Sequence, residues 1–164
     1  MSNETHQAAA ARAEREIPPA VAELLQAADE QILARAKAEG WSVSQAEWIA
    51  RLAHDPLIRA VADDRPGMEA LEEAYGIARR KLAEGYFTHA LAEGKSRYAA
   101  FLTVIDLERQ VAERRGAAAP DYPDPVLLAA CRAVEAAAAE EATPEEQIAT
   151  GYAAIRQAAE IPMQ

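Results

Sequence analysis

The sequence predicts an all-α, single-domain bundle of about six helices with a long central helix. Three observations carry this. First, 51% of residues are apolar but only 5% are aromatic, and alanine, the best helix former, makes up much of the apolar fraction. Second, apolar residues recur at three- and four-residue steps in one segment after another, and no run alternates as a strand would. Third, proline, glycine and short polar residues punctuate those segments where helices start and stop. A chain of 164 residues is long enough to bury its own core. Alanine-rich faces predict closely spaced axes anchored by few bulky residues.

Residues 1–16, "MSNETHQAAAARAERE", are expected to form a disordered tail ahead of a helical domain spanning 17–164. The tail lacks the basic start and hydrophobic stretch of a secretory signal. The first helix opens at Pro18-Pro19, where missing N–H groups cost nothing, and runs to Gly40. Its seam is Val21, Leu24, Leu25, Ala28 and Ile32. The second lies in "AEGWSVSQAEWIARLAHD", Ala38 to Asp55, with Ser44 and Glu47 spaced as a capping box. Asp55-Pro56 reads as an N-cap and first-turn proline that start a short segment to about Ala62.

After the turn Asp63–Gly67, the third helix is expected from Gly67 to about Glu84, with a seam of Met68, Leu71, Tyr75, Ala78 and Leu82. The fourth is expected from about Tyr86 to Arg115. It contains "YAAFLTVIDL", apolar on most sides, and is therefore placed at the centre, with Gly94 as a split or kink. Gly116–Pro125 is a loop, and Asp124-Pro125 is read as the cap of the fifth helix, ending near Ala142. Thr143-Pro144-Glu145-Glu146 starts the sixth: a hydroxyl N-cap, a first-turn proline, and acids at the positive end of the dipole.

The net charge of -10 repels phosphate and argues against nucleic acid or an anionic membrane as partner. One cysteine, Cys131, excludes an intrachain disulfide. No apolar run approaches the roughly 20 residues of a membrane span. A cytoplasmic location is the expectation.

Several short motifs have the outline of chemical or binding sites. Residues 42–55 have the outline of a helix-turn-helix, with Gln45 and Arg51 available to base edges. Glu47 and Asp55 share that outer face, and acids on the preceding helix would oppose phosphate. Gly94-Lys95-Ser96 matches the end of a phosphate-binding loop, but His89 stands where the opening glycine is required. Neither His54 nor His89 follows a glutamate at the three-residue spacing of a di-iron bundle, because Arg51 and Tyr86 occupy those positions. Cys131 falls on the apolar stripe Leu127, Cys131, Val134, Ala138, which predicts an inert core thiol. No cofactor or metal is expected.

Five of the nine aromatics, Tyr75, Tyr86, Phe87, Tyr98 and Phe101, fall on two neighbouring helices. Between Arg79 and Arg115 there are eight basic residues against five acidic ones. Arg79 to Lys81 and Arg114-Arg115 are expected at helix C-termini, where the dipole favours cations. The same pattern would also suit a ligand pocket with a basic rim at Tyr86, His89, Lys95, Arg97 and Tyr98. Trp41 and Trp48 are expected to clasp the corner between two helices, and whichever is exposed becomes a candidate partner contact.

The functional expectation is a non-enzymatic protein–protein interaction module: an adaptor, accessory subunit or regulator. Its partner would be another protein or a second copy of the chain. The alternatives are a ligand-binding or enzymatic bundle using Tyr86, His89 and Tyr98, and a DNA-binding protein using residues 42–55.

Overall fold

A computed structural model describes residues 18–65 and 67–160. These form seven helices and no strand: α1 (Pro19–Glu39), α2 (Val43–Leu52), α3 (His54–Ala62), α4 (Gly67–Ala92), α5 (Arg97–Arg114), α6 (Asp124–Ala139) and α7 (Pro144–Glu160). The expected tail at residues 1–16 lies outside the described residues.

The all-α class and the long central helix stand, but that helix is α4 rather than the expected 86–115 segment. α4 runs unbroken through Gly85. Glycine inside a helix costs about 1 kcal/mol relative to alanine. Burial of Leu82, Phe87 and Ala90 on either side offsets that cost.

The break comes at Gly94 instead, with φ +87°. The Gly94 N–H donates to the Leu91 carbonyl and the Lys95 N–H to the Ala90 carbonyl, which closes the helix in a Schellman motif. Ser96 then caps α5, its hydroxyl accepting from the Ala99 N–H at 3.1 Å. "GKS" is therefore a helix stop followed by a helix start.

Three expected caps are corrected in the same way. α2 begins two residues earlier than the Ser44–Glu47 pair requires: Ser42 and Gln45 form the capping box. Asp55 caps nothing, because α3 follows α2 through Ala53 alone and Asp55 lies in its first turn. Asp124 likewise lies inside α6, behind Pro123 at the N-cap. The start at Thr143 is as expected. Its hydroxyl accepts from the Glu146 N–H at 3.2 Å, and its own N–H donates to the Glu146 carboxylate at 3.0 Å.

Two buried clusters build the core. One joins α1, α2, α3 and the first half of α4 around Ile32, Ile49, Tyr75 and Ala78. The other joins the second half of α4 to α5, α6 and α7 around Phe87, Phe101, Val104 and Val134. α4 enters both and is the spine of the bundle. Alanine and glycine allow the close approach expected from composition. A Cβ on Gly151 of α7 would lie 2.6 Å from the Phe101 ring and 2.8 Å from Val134.

Candidate functional site

The corner between α1 and α2 is tied down by a polar cluster that begins with two sequence features. Gly40 ends α1 in the left-handed region, φ +107°, and Ser42 opens α2. The Gln45 carbonyl oxygen accepts from the Ser42 N–H at 2.9 Å and from the Arg114 guanidinium at 3.1 Å. Its amide nitrogen donates to the Tyr86 hydroxyl at 3.1 Å. Gln45 is buried, so one of the two residues offered to base edges does not face outward. The other, Arg51, stacks on Trp48 at 5.0 Å.

A second polar cluster explains the charged positions Arg35 and Glu39 on α1. Tyr75 is buried, and the guanidiniums of Arg35 (4.4 Å) and Arg79 (5.0 Å) both lie over its ring. Its hydroxyl donates to Glu39. Glu39 also accepts from the Trp41 indole at 3.3 Å and pairs with Arg79 at 3.7 Å. Burial and the Glu39 carboxylate push the Tyr75 phenol well above its ordinary value.

Glu39, Trp41 and Arg79 form one end of a cleft of about 460 Å³ between α4, α5 and α7. The floor is apolar, with Val104, Leu107, Val111 and Ile148. Three guanidiniums line it: Arg79, Arg80 and Arg115. So do three carboxylates, Glu39, Glu108 and Glu145. Glu108 accepts the Tyr152 hydroxyl at 2.8 Å and the Tyr122 hydroxyl at 3.4 Å. Arg80 pairs with Glu145 at 3.6 Å. Because α4 continues to Ala92, Arg79 and Arg80 are mid-helix, not at the C-terminus where the sequence placed them. Helix-dipole stabilisation therefore does not account for them.

None of the five residues proposed as a ligand pocket lines this cleft. Tyr86 packs against the first core cluster and binds Gln45. His89 is exposed and pairs with Glu93 at 2.9 Å, and Lys95 reaches the same carboxylate at 3.5 Å. Arg97 and Tyr98 are exposed at the start of α5. Tyr86 and His89 lie on α4, Arg97 and Tyr98 on α5 and Lys95 in the turn between them, and none of the five lines the clefts described here. The two tryptophans divide: Trp41 is half-buried in the cleft wall, while Trp48 is 53% exposed.

At the other end of the molecule, α1, α3 and the start of α4 enclose an apolar groove of about 490 Å³. Leu24, Leu25, Val61, Met68 and Leu71 line it. Leu24 is 56% exposed and Met68 74%. Both lie on seams that the sequence marked as buried faces.

Among the described residues, no three His, Cys, Asp or Glu side chains converge to hold a metal ion. No described helix is long and apolar enough to cross a membrane. No family model, curated protein or solved structure matches the chain.

Proposed function

We propose that the chain is a protein–protein interaction module, an adaptor, accessory subunit or regulator, which docks an amphipathic helix in the α1–α3–α4 groove. One observation carries the reading. The packing seams of α1 and α4 continue past the core that the described residues build. Ile32 and Tyr75 are buried by other helices, whereas Leu24 and Met68, on the same seams two turns outward, have nothing over them among the described residues. A groove of exposed seam residues between two helices is the shape that takes a helix by its i, i+3, i+4 anchors.

Charge specifies the partner's flanks. Residues 19–31 and 55–73, which build the groove, carry nine acids against two arginines. A partner helix with basic residues beside its apolar face is complementary to that rim. The same acidity disfavours nucleic acid.

A leucine–lysine peptide with leucines at helical spacing, titrated against the full chain, tests this. A peptide of identical composition with scrambled spacing is the control. The amphipathic peptide is expected to bind saturably, more weakly at high salt, and to lose its affinity for Leu24→Asp and Met68→Asp. Equal binding of the scrambled peptide, or unchanged binding by both variants, defeats the reading. So does a dimer that blocks the groove and dissociates in Met68→Asp, because the occupant is then a second copy.

A further inference from the structure

We propose that the cleft between α4, α5 and α7 is a separate binding site for a small amphiphilic carboxylate, an apolar chain or ring system ending in one anionic head. The site is distinct from the docking groove and shares no residue with it. Its size of about 460 Å³ lies within the roughly 300–1,000 Å³ of small-molecule sites.

The apolar body is specified by the floor. Val104, Leu107, Val111 and Ile148 are nearly buried yet border open space, with the Trp41 and Tyr152 rings as walls. The sign of the head group follows from an inventory of donors and acceptors. Two of the three carboxylates are already engaged several times over: Glu39 takes a phenol, an indole and a guanidinium, and Glu108 takes two phenols. Glu145, at the exposed edge, makes only the long pair with Arg80.

The guanidiniums are not saturated in this way. Each carries five N–H donors. Arg79 and Arg80 make only the long pairs at 3.7 and 3.6 Å, and Arg115 makes no ion pair among the described residues. Donor capacity therefore exceeds acceptor demand along the rim, which favours an incoming carboxylate over an incoming amine. Tyr75 strengthens this asymmetry: by donating to Glu39 it draws acceptor capacity away from Arg79.

The position of Trp41 provides the test. In a Trp48→Phe background Trp41 is the only tryptophan, so its fluorescence reports the cleft alone. Dodecanoate, dodecylamine and dodecanol are titrated below their aggregation thresholds, with calorimetry in parallel. Dodecanoate is expected to change Trp41 emission saturably and to bind at least about tenfold more tightly than either other compound. Arg115→Gln and Arg79→Gln should each weaken dodecanoate by about tenfold while leaving dodecanol unchanged. Ala149→Phe, which places a ring in the cleft from its exposed rim, should weaken all binding. Dodecylamine binding as tightly as dodecanoate overturns the proposal. So does indifference of dodecanoate to all three variants, or no saturable binding by either method. None of these outcomes affects the leucine–lysine peptide experiment, so the two sites stand or fall separately.

Discussion

Gly40 of the α1 terminus and Val111 of α5 meet so closely that only a residue without a side chain fits. A Cβ on Gly40 would lie 2.0 Å from the Val111 carbonyl oxygen, and Gly40 is in the left-handed region besides. The contact seats the α1–α2 corner on α5 and so places Trp41 in the cleft wall. Gly40→Ala is expected to destabilise the fold by about 3–5 kcal/mol, from backbone strain and overlap together. Gly94→Ala has a similar φ of +87° but meets nothing within 4 Å. It should cost about 1–2 kcal/mol, from strain alone. Urea unfolding midpoints of the two variants separate these effects.

Gln45 serves a cap, a tyrosine and an arginine at once. Gln45→Ala removes all three and should cost about 2–3 kcal/mol. Ser42→Ala removes only the cap and should cost about 1 kcal/mol. Ser44→Ala, at the position that the sequence pattern favoured, should change stability by less than about 0.5 kcal/mol. Equal losses at Ser42 and Ser44 in chemical denaturation would contradict the register of α2.

Glu141 ends α6 in a left-handed conformation, φ 62°, inside a Schellman motif closed by the Ala142 N–H on the Ala137 carbonyl. A side chain there carries strain that glycine lacks. Glu141→Gly is expected to stabilise the protein by about 1 kcal/mol, read as a raised thermal midpoint.

Two phenols link stability to alkaline pH. Burial first, then the adjacent Glu39 or Glu108 carboxylate, holds Tyr75 and Tyr152 above the ordinary tyrosine value of 10.0. Below pH 10 both are protonated whether folded or unfolded, so stability there is at its full value. As pH rises past 10 the unfolded chain ionises first, and stability falls from there towards the folded values. Unfolding midpoints should decline above about pH 10, and the decline should be shallower in Tyr152→Phe. Phenolate absorbance is expected to show these two tyrosines ionising only as the protein unfolds.

Cys131 is buried, and desolvation together with Glu135 raises its thiol above the usual range. A thiol reagent at neutral pH should modify it slowly in the folded protein and quickly in urea. Rapid labelling of the native chain would show that the α6 stripe is open.

The local code was legible where it is self-contained. Pro18-Pro19 and Thr143-Pro144 start helices because a missing N–H and a short hydroxyl act within one turn. Cys131 and Val134 are buried as their stripe requires. The sequence is ambiguous where two local signals compete. Ser42 and Ser44 both have a partner three residues on, and Gly85 and Gly94 both interrupt an apolar segment. The tie is broken by the burial of Gln45 against Tyr86 and Arg114 in one case, and of Leu82, Phe87 and Ala90 in the other.

The candidate sites were less legible for the same reason. The cleft collects residues from α4, α5 and α7 and the α1–α2 corner, and Arg79 and Arg80 face it from mid-helix because α4 passes through Gly85. Composition and periodicity alone determined that the chain is helical, acidic and closely packed, since these depend on residue type and local spacing. Only the tertiary structure decided which ends of the Leu24 and Met68 seams lie bare and which charges face one cleft. Exposure and convergence depend on helices distant in sequence, and periodicity within one helix carries no information about what packs over it.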